Sequence, residues 1–130
     1  MSLQILVATA PGELIDKITI LEIKSERIKD EAKLNNVRVE LDALVQSLAN
    51  DVPASPKLTE LRVALKAVNW QLWVIEDDIR DCERAKDFGA KFIELARAVY
   101  ITNDKRAELK KEINLLTGSK IIEEKSYQAY

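Results

Sequence analysis

Residues 56–82 read PKLTELRVALKAVNWQLWVIEDDIRDC, and the spacing of their apolar residues decides the fold class. Apolar residues recur there in an unbroken alternation of three and four: Leu58, Leu61, Leu65, Val68, Leu72, Ile75, Ile79 and Cys82. This is the spacing of an α-helix that packs one face against other helices, as in a coiled coil. Ser55 followed by Pro56 is typical of a helix start, because serine caps the first turn and proline fits the first helical position.

A second apolar line runs along the same predicted helix, and we call it the second stripe: Val63, Ala67, Trp70 and Val74. Trp73 lies beside it. Because only a narrow polar face remains, we expect the first half of this helix to be buried on two sides. Trp70 and Trp73 are candidate interface residues, and they form either a core plug beneath the C-terminal tail or a patch for a partner.

The first predicted helix begins near Pro11 to Glu13, where proline and a carboxylate suit a helix start. Its apolar residues first follow one register and then, after Ala32, another: Leu14, Ile18, Leu21 and Ile28, followed by Val37, Leu41, Leu44 and Leu48. The change of register predicts a kink at residues 34–36 or a restart near Asp30.

The third predicted helix covers residues 88–117 and ends at Gly118, a typical C-cap. Thr102 and Arg106 interrupt its apolar face. Residues 4–8 are predicted to form a short extended segment. Residues 119–130 are predicted to form a tail that packs back on the bundle, over Trp70 and Trp73. The sequence thus predicts one all-α domain, residues 1–130, of three long antiparallel helices, the first kinked or split near residues 30–36.

Composition excludes several classes of function. The chain has 130 residues and a net charge of −2, from 20 basic and 22 acidic residues, which gives no basic face for nucleic acid. It has no histidine, which argues against zinc sites and serine–histidine catalysis, and we predict no metal and no cofactor. The single Cys82 excludes an intramolecular disulfide and indicates a reducing, cytoplasmic location. No apolar run is long enough for a membrane span or has the flanks of a signal peptide.

Polar residues around the break in the third helix are the first candidate ligand site. A turn near residue 87 would place Arg106 opposite Asn69 and bring the candidates together: Glu76, Tyr100, Asn103 and Arg106. This arrangement predicts either an internal Glu76–Arg106 ion pair that fixes helix register or a site for a small anionic ligand.

The start of the first helix carries the remaining candidate ligand residues: Asp16, Lys17, Lys24 and Arg27. Alternating charges of this kind are usually a solvated face with ion pairs between successive turns. The functional alternative is an anion-binding strip of the three basic residues.

Acidic pairs give a weaker candidate. Glu13-x-x-Asp16 and Asp78-x-x-Asp81 have a spacing related to that of all-α nucleotide pyrophosphohydrolases, which bind Mg²⁺ through carboxylates on paired helices. A solvent-exposed helix face is the other explanation of the same residues.

Three stretches resemble a small bacterial family of about 130 residues that is known only as a domain of unknown function. They are PGELIDKITILEIK at residues 11–24, residues 88–104, and GSK with EEKSY at residues 118–127. The resemblance covers nearly the whole chain and implies a link with cell-envelope glycan or glycosyltransferase functions. Leu14, Ile15, Asp16, Ile18, Leu21 and Arg27 are also similar to helical chorismate mutases, but the other basic residues of that family are missing here.

We therefore expect a non-catalytic helical module that forms homo-oligomers or binds a partner protein. Whether the chain is an enzyme stays open at this stage. The alternatives are a binder of, or an enzyme on, a small anionic ligand related to sugars or envelope glycans, and a Mg²⁺-dependent nucleotide hydrolase.

Overall fold

The computed structural model of the chain describes residues 3–130. These residues form four helices and no β-strand: α1 Pro11–Arg27, α2 Glu31–Asp51, α3 Pro56–Ala85 and α4 Ala90–Thr117. The predicted all-α class is confirmed. The predicted number of three helices is wrong, because the first predicted helix is two separate helices.

The break between α1 and α2 lies at residues 28–30. Ile28 is extended, and Asp30 starts α2 by accepting a hydrogen bond from the backbone N–H of Lys33 at 3.0 Å. A carboxylate in this position satisfies a first-turn donor that a continuous helix would have bonded internally. The restart near Asp30 is therefore confirmed, whereas residues 34–36 lie inside α2.

The start of α3 and the end of α4 agree with the sequence, whereas α4 begins at Ala90, two residues after the predicted start. The Ser55 hydroxyl accepts a hydrogen bond from the Leu58 N–H at 3.1 Å, which caps α3. Lys86, with a φ of 55°, ends α3 in the left-handed conformation. Gly118 ends α4 with a φ of 70°, a backbone shape that glycine adopts without steric cost.

The core lies towards one end of the α3–α4 pair, away from the connection at residues 86–89. α1 packs against all three other helices, and α3 and α4 pack along each other. The main core cluster combines all four helices: Ile15, Ile18, Leu48, Leu58, Leu61, Leu65 and Ile113. From Trp70 to Ile101, by contrast, Cys82 is the single buried residue. The part of the pair near residues 86–89 therefore has little cover.

The second stripe is exposed, contrary to prediction. Val63 is 65% exposed, Trp70 37% and Val74 39%, and Ala67 is exposed as well. α1 instead covers the face of α3 that carries Asn69, and the backbone of α2 comes close only to α1 among the described helices. The first half of α3 is consequently buried on one side.

The C-terminal tail, residues 119–130, lies along α4 and not over the tryptophans. Glu123 pairs with Lys110 at 3.1 Å, Lys125 contacts Asp104, and the rings of Tyr130 and Tyr100 lie 5.2 Å apart. Trp70 is contacted instead by Arg27. Within the described part of the chain, every helix is too short or too polar to cross a membrane.

Gly12 marks a close approach of α1 to α4. Its backbone N–H donates a buried hydrogen bond of 2.7 Å to the Asn114 side-chain oxygen. A Cβ at residue 12 would lie 2.4 Å from the Lys110 carbonyl oxygen and 2.8 Å from that same Asn114 oxygen. The contact therefore needs a residue without a side chain.

We expect Gly12→Ala to destabilise the protein by about 1–3 kcal/mol, because α1 or α4 must shift to relieve the overlap. In an open helical position the same change stabilises a protein by up to about 1 kcal/mol. Urea unfolding followed by circular dichroism measures the difference. An unchanged or higher free energy of unfolding would contradict the close packing at Gly12.

Candidate functional site

A buried carboxylate joins three of the helices. Asp16 of α1 is 1% exposed, and its Oδ1 accepts hydrogen bonds of 2.9 Å from Asn69 Nδ2 of α3 and from Arg106 Nε of α4. Arg106 Nη2 donates to Asp16 Oδ2 at 2.5 Å. Asn69 Nδ2 also lies 2.9 Å from the Thr19 hydroxyl oxygen. We call Asp16, Thr19, Asn69 and Arg106 the polar network.

The α1 sequence presents two polar residues on its buried face. Asp16 and Thr19 are one turn apart beside Ile15 and Ile18, and the Thr19 hydroxyl donates to the Asp16 carbonyl at 2.8 Å. Each buried side-chain nitrogen and oxygen in the described residues has a hydrogen-bond partner. The hydrogen bond to Asp16 outweighs burial and raises the pKa of Arg106 above its usual value. The Arg106 guanidinium therefore stays charged at neutral pH.

The predicted Glu76–Arg106 ion pair is wrong. Glu76 is exposed and pairs with Arg80 one turn along α3 at 3.2 Å, whereas Arg106 is directed at Asp16. The expectation that Arg106 faces Asn69 is confirmed, because both side chains bind the same carboxylate oxygen. The sequence spacing predicted that Arg106 lies near Asn69 but could not show that α1 supplies the acid between them.

A groove of about 1060 Å³ opens between α4 and the C-terminal tail, and we call it the tail groove. The predicted residues Tyr100, Asn103 and Arg106 all line it. Asp16 lies directly behind Arg106, so four of the eight predicted ligand residues belong to one region. Other polar side chains complete the lining: Glu13, Asp104, Glu108, Lys110, Lys111, Glu123, Glu124, Lys125, Tyr127, Gln128 and Tyr130.

The other four predicted ligand residues have separate surroundings. Lys17 pairs with Glu40 of α2 at 3.4 Å, and the Arg27 guanidinium lies 5.1 Å from the Trp70 ring centre. Lys24 lies partly buried in the last turn of α1, and Glu76 is on the surface of α3. The three basic residues of α1 therefore do not line a common anion-binding site. Trp73 is partly buried beside Trp70.

Lys110 is a site residue that the sequence did not single out. Its side chain is 12% exposed, and its ammonium pairs with Glu13 at 2.7 Å and with Glu123 at 3.1 Å. Burial opposes its charge, but these two hydrogen bonds outweigh burial and raise the pKa of Lys110 above its usual value. The stabilisation is present at neutral pH and is lost as the pH rises through that raised pKa. Lys110 joins α1, α4 and the tail.

The end of the tail is held at Asp104. Hydrogen bonds from Lys125 and Tyr130 lower the pKa of Asp104, and the same bond to Asp104 raises the pKa of Tyr130. These groups are exposed, so solvent weakens the contacts. The tail therefore closes one side of the groove through a few surface interactions.

The predicted Mg²⁺ site has no geometric support in residues 3–130. No three carboxylate or cysteine side chains converge there on one point. Glu13 pairs with Lys110, Asp16 with Arg106 and Asp81 with Arg84. A hard cation needs several oxygens around one position, and these oxygens are used in ion pairs elsewhere.

Comparison with known proteins gives one match. The model of a family described as "Family of unknown function (DUF6165)" matches residues 5–130. The resemblance to a family of unknown function of about this length is thereby confirmed. No curated protein and no solved structure matches the chain.

We expect Asp16→Ala to destabilise the protein by about 1–3 kcal/mol, because the partly buried Arg106 guanidinium loses its acceptor and the buried Asn69 amide loses one of its two acceptors. Glu76→Ala removes a carboxylate from an exposed pair and is the matched control, with an expected loss below about 1 kcal/mol. Urea unfolding of both variants measures the contrast. Equal losses would show that the polar network contributes no more than a surface ion pair.

Proposed function

The chain belongs to this family of unknown function, and we propose that it is a non-catalytic helical module that associates with itself or with a partner protein. One observation carries the proposal: the second stripe is apolar, continuous and exposed. Isolated apolar residues are normal on protein surfaces, whereas a contiguous apolar patch marks an interaction site.

The second stripe has the spacing of a helix-pairing surface. Val63, Ala67, Trp70 and Val74 are separated by four, three and four residues, as in a coiled-coil face, and extend over about 16 Å of the helix. All four are exposed on a helix that uses a different face for its own core. A helix of another chain could pack along this line.

Trp70 has the features of an interface anchor. Its ring is 37% exposed, and the Arg27 guanidinium contacts one face at 5.1 Å, which favours one position of the ring. Tryptophan is enriched among the residues that dominate binding energy. A ring already held in place loses less conformational freedom when a partner binds.

The second stripe runs into acidic residues at one end. Asp77 and Asp78 follow Val74 on the next turn, and neither forms an ion pair with any described residue. A partner surface with basic residues beside an apolar face would complement this end and fix the direction of docking.

We also propose that neighbouring helices run antiparallel and that the protein works in a reducing compartment. The short connections at residues 28–30, 52–55 and 86–89 support an antiparallel arrangement of neighbouring helices. The buried free thiol of Cys82 supports a reducing compartment such as the bacterial cytoplasm.

For self-association, we expect sedimentation velocity to show a dimer or larger species. Val63→Asp and Val74→Asp should each weaken it at least tenfold, or about 1.4 kcal/mol, by placing a charge in the apolar contact. Val39→Asp on α2 is the matched control, since Val39 and Val63 are both 65% exposed. A dimer that resists both second-stripe variants would contradict this surface, and a strict monomer would contradict self-association.

A small anionic ligand in the tail groove is the second candidate function. The observation that favours it is the presence of Tyr100, Asn103 and Arg106 on one open wall, beside Lys110. Arg106 is held by the buried Asp16, whereas Lys110 beside it has one exposed partner in the tail, Glu123. An incoming carboxylate or phosphate would replace Glu123, which is 67% exposed, at the Lys110 ammonium.

If this second function is correct, millimolar inorganic phosphate or malonate should raise the melting temperature, since a ligand of the folded state stabilises it. We expect Lys110→Gln to lose the increase. Lys57→Gln, which removes the lysine of an exposed surface pair with Glu60, should keep it. A melting temperature of the unaltered protein that does not respond to either anion would contradict the anionic ligand.

A further inference from the structure

The N-terminal segment, residues 3–10, is the most exposed apolar part of the chain. Leu3, Ile5, Leu6 and Val7 are between 75% and 89% exposed, and no residue of the segment carries a charged side chain. Only Ala10, which has extended backbone angles and precedes α1, is buried. The segment is therefore anchored at one end and uncovered along the rest.

Covering these side chains with a partner would be strongly favourable. Burying an aliphatic side chain of this size contributes about 1.5–3 kcal/mol, and four of them lie within residues 3–7. None of the backbone hydrogen bonds found outside the helices of the described chain involves residues 3–9. Both the side chains and the backbone groups of the segment are thus available to a partner.

The residues of the segment suit a β-strand. Ile5 and Val7 are β-branched, and in an extended chain Leu3, Ile5 and Val7 would lie on one face. The free backbone donors and acceptors of an extended segment are satisfied by another strand. Residues 3–130 contain no strand that could serve within the same chain.

A second copy of the chain supplies a fitting strand. The side chains of two identical segments do not repel each other by charge, because residues 3–12 carry no charged side chain. Antiparallel pairing centred on Leu6 places Ile5 opposite Val7 of the second copy, and Val7 opposite its Ile5. Cross-strand pairs of β-branched residues are favourable, and this register provides two of them.

We propose that residues 3–9 pair antiparallel with the same residues of a second copy, on a two-fold axis at Leu6. This inference rests on the proposed self-association but uses a different surface from the second stripe. A two-stranded ribbon is only marginally stable alone and needs a helix beneath it. The base of the segment lies against α1 and α4, because Ala8, Thr9 and Ala10 line a hollow of about 240 Å³ there. The other residues of its lining are Glu13, Lys110, Asn114, Ile121 and Glu123.

A proline scan of the segment tests the pairing. In an antiparallel pair of strands, alternate residues direct their N–H groups at the partner, and proline removes that group. We expect Ile5→Pro and Val7→Pro to change the dimer dissociation constant alike, and Gln4→Pro and Leu6→Pro to change it alike. The two sets should differ at least tenfold after each proline variant is compared with alanine at the same position.

The folded state of these variants can be checked independently. The segment lies outside all four helices, so far-ultraviolet circular dichroism should show unchanged helix content in every proline variant. As a second measurement, Leu6→Cys should form a disulfide-linked dimer under mild oxidation, because two Leu6 residues meet on the axis. Val39→Cys, equally accessible on α2, should not.

The outcomes separate this inference from the proposed function. An alternating proline effect together with the Leu6→Cys dimer supports strand pairing. A dimer that is insensitive to proline at every position overturns strand pairing and leaves association through the second stripe intact. A strict monomer overturns the second copy as partner and self-association together, which leaves the sheet edge of another protein as the complement of the segment.

Discussion

The Asp16 carboxylate is the constraint on which the arrangement of the helices depends. It is almost fully buried in α1, and its two oxygens receive donors from α3 and α4. A buried carboxylate is strongly destabilising unless every lone pair has a partner, so only an arrangement that brings Asn69 and Arg106 to it is acceptable. Hydrogen bonds are directional and apolar contacts are not, so the polar network restricts the rotation of α1 more narrowly than the apolar core does.

The same interaction defines what the neighbouring surface can do. Arg106 lies at the inner wall of the tail groove, but both of its bonds to Asp16 are directed away from the opening. Its charge is therefore compensated from within, and Lys110 is compensated by Glu13 and Glu123. The lining of the groove is therefore nearly balanced in charge, which leaves little net attraction for a small anion.

Local features were predictable from the sequence, and features that depend on α1 were not. The Ser55 cap, the seam of α3, the restart at Asp30 and the Gly118 cap each depend on residues only a few positions apart. The partner of Arg106 lies ninety residues away, and no spacing rule connects it to Asp16. The exposure of the second stripe was missed for the same reason, because its apolar pattern is equally compatible with a buried second face. A signal for Asp16 did exist, since it and Thr19 interrupt an otherwise apolar helix face.

The uneven distribution of the core implies uneven cooperativity along α3 and α4. Leu58, Leu61 and Leu65 are fixed by the core, whereas the residues between Trp70 and Ile101 bury only Cys82. Segments with few buried contacts open at a lower free energy than the global unfolding of the protein. Amide protons on both sides of the connection at residues 86–89 should thus exchange with solvent through local opening, while those of α1 exchange only when the whole domain unfolds. We therefore expect a lower free energy of local opening for the ends of α3 and α4 next to residues 86–89 than for α1.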